Sequence, residues 1–188
     1  MTGLACKGVV GFAFVVAACA SSPKPPAPSA PAPAPASAAA PPATAPPAGG
    51  QEALAAIREV EAEPFREDDA YVAKRAALIK WVIDAPDLTV VLCSDMMPDF
   101  KGEDPVDAVL LAQLMVAQAA YLIEHPGAPP KDEAVLTSGL VGAIRAYRKL
   151  LVVHPDQRRP AWDQLDTAER SNGLSSHVRS VMRECAKP

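Results

Sequence analysis

The chain has 188 residues, 22 of them acidic and 18 basic, and no acid precedes residue 51. Residues 51–188 carry 16 basic against 22 acidic side chains, a net −6, which argues against a nucleic-acid binder with its basic footprint. Only 5% of residues are aromatic, so a core must be built from Ala, Val, Leu and Ile, a palette that favours helices over a β-sandwich or barrel.

Residues 1–19 read MTGLACKGVVGFAFVVAAC. Lys7 precedes an uncharged stretch from Gly8 to Ala18, shorter than the roughly 20 apolar residues a membrane-spanning helix needs and of the length of an export signal's apolar region. Val16-Ala17-Ala18-Cys19 closes it. An aliphatic residue, two small residues and a cysteine in this place resemble the lipobox of bacterial lipoproteins. The resemblance implies that the thiol of Cys19 takes a diacylglyceryl group, that cleavage removes residues 1–18, and that Cys19 becomes the anchored first residue. Lipid chains add about 0.8 kcal/mol of membrane affinity per buried methylene, and two or more chains make release slow. Ala20 stands where Asp retains Gram-negative family members in the inner membrane. The resemblance therefore implies the outer membrane, with the domain facing the periplasm.

Residues 21–50 hold 11 Pro and 11 Ala. Without a large apolar side chain this segment has nothing to pack. Its prolines forbid regular helix and favour an extended polyproline form, reaching about 90 Å at about 3.1 Å per residue. We read residues 19–50 as a lipidated cysteine and a disordered linker, and 51–188 as a single all-α domain of five to six helices.

Within that domain Gln51–Glu63 places Leu54, Ile57 and Val60 on one helical face and stops at Pro64. Asp68 or Asp69 can cap a second helix to about Ile83, with a stripe of Val72, Ala76, Ile79 and Ile83 that Trp81 and Val82 widen. Asp87–Met97 is ambiguous. Val90-Val91-Leu92 is strand-like, but a lone strand leaves its ladder unpaired, and we expect a short helix capped by Asp87. Asp104-Pro105 opens the clearest helix, free of charge from Ala108 to Ile123, with an N-cap, a first-turn proline and Asp107 at the positive dipole end. It reads as a central core helix. The next helix runs from about Asp132 to Val153, where Gly139 and Gly142 invite a close neighbour. Pro160 starts a short helix that ends at Asn172-Gly173, and Ser175 or Ser176 caps a last one to Cys185.

Once Cys6 leaves with the signal and Cys19 takes lipid, Cys93 and Cys185 remain in a compartment that permits disulfides. They are either bridged, with up to about 4.5 kcal/mol of loop-closure stabilisation, or separate buried thiols. His125 and His154 precede prolines at helix ends, where imidazole can meet free carbonyls. With His177 they show no metal-ligand spacing. Seven acids lie between Asp84 and Asp107 against Lys101 alone, without the alternation of a calcium loop, so no metal or cofactor is expected. Arg145, Arg148, Lys149, Arg158 and Arg159 form a candidate basic patch, either a solvated face or a grip on an anionic partner such as cell-wall polymer. No phosphate loop, dinucleotide fingerprint or nucleophile elbow occurs. The expectation is an envelope lipoprotein without enzymatic activity whose domain binds a protein partner or supports assembly. The alternatives are a cell-wall or small-molecule binder using a helical cleft and the basic patch, and, third, an enzyme.

Overall fold

A computed structural model of the chain describes residue 47 and residues 49–185. The chain divides into two units, Met1–Ala38 and Ala39–Pro188, and all described residues belong to the second. The expected signal peptide, Cys19 and the Pro/Ala segment up to residue 46 lie outside the described residues.

The described part is all-α. Its helices are α1 (Gly50–Ala62), α2 (Asp69–Asp84), α3 (Pro105–Glu124), α4 (Glu133–Val153), α5 (Pro160–Arg170) and α6 (Leu174–Cys185). Three begin as their sequences dictate. Carboxylates of Asp68, Asp104 and Asp132 accept the backbone N–H of Tyr71 (3.1 Å), Val106 (2.8 Å) and Ala134 (2.8 Å), each satisfying an otherwise orphaned first-turn donor. Pro105 and Pro160 occupy first turns that need no proline N–H. At the end of α5, Asn172 takes a left-handed φ of 57°, and Gly173 N–H returns to Ala168 O at 2.7 Å. That turn feeds directly into α6 at Leu174, so neither Ser175 nor Ser176 is the cap expected there.

α3 is the centre. It separates two apolar clusters. One gathers Leu110 and Leu114 with α4, α5, α6 and Met96 and Met97. The other gathers Met115, Val116, Ala119 and Ala120 with Ile57 and Val60 of α1 and Leu78 and Val82 of α2. By length and composition alone α3 could cross a membrane, but 67% of its most apolar window is buried inside the fold. The α3–α4 pair is held close by glycine. A Cβ on Gly142 would lie 2.4 Å from Ala117 Cβ and 3.0 Å from Gln113 O, and one on Gly139 2.6 Å from Gln118 Cγ and 2.9 Å from Leu114 O. Neither position has room for a side chain.

Two further expectations are corrected. The helix over Asp87–Met97 does not form. Residues 87–93 are not helical, and a 3-10 turn, Ser94–Met96, follows. The reason lies in the middle of α3. The buried Gln118 amide accepts the Val91 N–H at 2.9 Å and donates to Val91 O at 3.0 Å. One side chain thus supplies both hydrogen bonds that a neighbouring strand would have provided, and the lone β-branched run keeps its extended form. Gly139 leaves the space that Gln118 fills. The second correction concerns α2, which turns Tyr71, Leu78 and Val82 to the core. Of the expected stripe Val82 is buried and Ile79 and Trp81 pack against the core, but its two ends turn away: Val72 is 40% and Ile83 64% exposed.

Candidate functional site

The expected site residues fall into separate places. Cys93 and Cys185 are joined by a disulfide with Cα atoms 6.1 Å apart, within the usual span. It ties the end of α6 to the extended run beside α3. His125 caps its own helix: its backbone N–H reaches Tyr121 O, its Nδ1 lies 2.9 Å from the same oxygen, and its ring stacks on Tyr121. His154 is the C-cap of α4. His177 has a buried Nε2 without a partner, and burial lowers its pKa. Among the described residues no three His, Cys, Asp or Glu side chains gather as metal ligands would.

Four of the five residues of the basic patch have partners inside the fold, while Arg145, Lys149 and Arg158 stay exposed. Arg148 pairs with Asp166 and Glu169 on α5. Burial opposes the charged forms of Arg148 and Asp166, yet their mutual pairing, with Arg170 at 3.0 Å from Asp166, holds the guanidinium above and the carboxyl below their ordinary values. Arg158 faces Asp163 at 3.3 Å. Arg159 bridges Asp104 and Asp107 at the start of α3. Asp107 is only 2% exposed and also accepts the Lys101 N–H at 3.0 Å. Lys149 donates to Glu61 O (2.8 Å) and Ala62 O (2.6 Å), the free carbonyls at the negative end of α1. Arg145 and Lys149 are both exposed, and neither has a carboxylate in ion-pair distance among the described residues. The cluster was visible along the chain, but except for Asp163, five residues after Arg158, its carboxylate partners come from 18 to 55 residues away.

Concave surface occurs beside Arg158 and Arg159, in a hollow of about 360 Å³ shared with Asp104 and Asp107, and more extensively along α2 and α3. A cleft of about 960 Å³ opens between the α1–α2 connection, the start of α3 and the end of α4. Phe65, Val106, Val109, Leu150 and Val153 give it an apolar lining. A groove of about 460 Å³ runs on between α2 and α3, lined by Val72, Ala76, Ile79, Ile83, Ala108 and Ala112. Arg75 and Ala108 line both, so cleft and groove adjoin. The stripe that sequence periodicity marks on α2 is one wall of this surface.

No family model, curated protein or solved structure matches the chain. The charged rim of cleft and groove is Arg66, Arg75, Lys80 and Lys149 against Glu63 and Glu67. Arg66 is engaged by Glu63 at 3.1 Å and by Asp68, and Lys80 by Asp84. Arg75 bonds only Pro64 O, at 2.7 Å, and Lys149 only the α1 carbonyls. These two cations have no carboxylate in ion-pair distance among the described residues. The arrangement offers an apolar trough with positive charge at its joint and at one end. The cleft also brings Glu63, Glu67 and His154 to the same lining.

Proposed function

We propose that the chain is a lipid-anchored envelope protein whose helical domain binds a protein partner. The anchor rests on Val16-Ala17-Ala18-Cys19 after an apolar stretch of export-signal length. The binding role rests on one observation, the adjoining cleft and groove, where Val72, Ile83 and Val153 keep 40%, 64% and 65% of their surface in solvent. Apolar side chains collected in a concavity stabilise a complex by leaving water, and such patches mark interaction sites. The Pro/Ala segment supplies reach between the anchor and the domain.

The test has two arms. Wild-type chain is expected in the membrane fraction and Cys19→Ser in the soluble one; a Cys19→Ser chain that stays with membranes refutes the anchor. A photo-crosslinking residue at Val153 or Ile83 is expected to trap one discrete envelope protein, and one at exposed Arg170 none. Equal labelling from all three positions refutes the binding role.

A further inference from the structure

We infer that the groove and cleft receive a single amphipathic helix of the partner, laid along α2, with its apolar face down and acidic side chains on its flanks. This deepens the protein-binding reading and rests on it. The inference begins with α2, which carries two apolar stripes. Tyr71, Leu78 and Val82 are buried against the fold. Val72, Ala76, Ile79 and Ile83, spaced by four, three and four, form the wall of the groove. That spacing is one ridge of a helix, covering about 16 Å of axis at 1.5 Å per residue, and a partner helix of three to four turns matches it.

The floor points the same way. Ala76, Ala108 and Ala112 are the smallest side chains in the groove, and small residues allow helix axes to approach to about 8 Å. This chain already uses that device where Gly139 and Gly142 admit α3. Charge then selects the partner. The groove's charged lining is Arg75 and Lys80, the latter paired with Asp84, and the cleft adds Arg66 and Lys149 against Glu63 and Glu67, leaving Arg75 and Lys149 as the cations without a carboxylate partner among the described residues, within a domain segment whose net charge is −6. A basic rim on an acidic protein complements Glu and Asp flanking an apolar helical face. A second copy of this chain is a poorer occupant, because a two-fold contact at this groove brings the same cations, Arg75 and Lys80, from both copies to one seam.

Fluorescence anisotropy of a labelled peptide against the purified full chain tests this. The probe is a helix-forming peptide of about 18 residues, roughly 27 Å as a helix, with Leu at i, i+3, i+4 and i+7 and Glu on both flanks. Saturable binding that weakens with added salt is expected, with little binding of the same peptide carrying Lys for Glu. Ile83→Glu is expected to weaken it about tenfold or more, and Arg75→Gln severalfold. Ile83 projects into solvent, and circular dichroism of that variant would verify the fold. The inference is overturned if the Glu peptide does not bind, if the Lys peptide binds as well, or if Ile83→Glu changes nothing. It is also overturned if phosphatidylglycerol vesicles bind the chain and displace the peptide from unaltered protein and Ile83→Glu alike. Should the peptide fail while Val153 and Ile83 still crosslink one protein, the partner chemistry is wrong and the binding role stands. Failure of both removes both.

Discussion

Single side chains decide several features of this fold. Gln118 replaces a missing strand for Val91 through two hydrogen bonds. In Gln118→Leu both Val91 groups lose their partner, which costs about 1–3 kcal/mol for each group left buried. Urea unfolding should register that loss, and amide exchange at Val91 should accelerate while the α4 amides keep their protection. His177 acts through protonation. Its Nε2 is buried without a partner, and burial sets its folded pKa below the ordinary 6.5. Below about pH 6.5 the unfolded chain takes up a proton that the folded chain resists. This contribution leaves stability unaffected above that pH, lowers it as the solution is acidified, and levels off once the folded imidazole also titrates. Stability of His177→Leu, followed from pH 7 to 5, should decline less than that of the wild type. An equal decline would place the titration elsewhere.

At the scale of elements, legibility followed the range of the interactions. The carboxylate caps of α2, α3 and α4 lie within three residues of the N–H groups they satisfy, and the sequence displays them directly. The 87–97 segment was misread because its partner, Gln118, is 27 residues from Val91. The ends of the α2 stripe were misread because the helix has two apolar faces, and periodicity cannot say which of two the neighbours cover. The basic run met the same obstacle. Arg159 answers Asp104 and Asp107, more than 50 residues earlier, so a candidate binding patch became a set of ties between α3, α4 and α5. The close α3–α4 approach was legible from two glycines that a solitary helix would have no reason to keep. Gly142→Ala should gain about 1 kcal/mol of helix propensity. It should lose more, because the new methyl meets Ala117 Cβ and the Gln113 backbone and overpacking of this kind costs about 1–3 kcal/mol. A lower melting temperature is expected, and an unchanged or higher one would mean that the helices separate freely.

For the whole molecule, the cores on the two sides of α3 assign different duties to different ends of the chain. α1 and α2 close one side and expose the groove. α4, α5 and α6 close the other. The connections at 125–132 and 154–159, between α3 and α4 and between α4 and α5, are where a protease would find accessible backbone. Both lie inside the ring that the Cys93–Cys185 bond closes across 92 residues. A single cut there opens the ring without dividing the protein, because the two pieces remain joined through sulfur. After limited proteolysis such nicked molecules should run as one band on a denaturing gel without reductant and as two with it, and for as long as the bond lasts the severed helices would stay leashed to the rest of the chain.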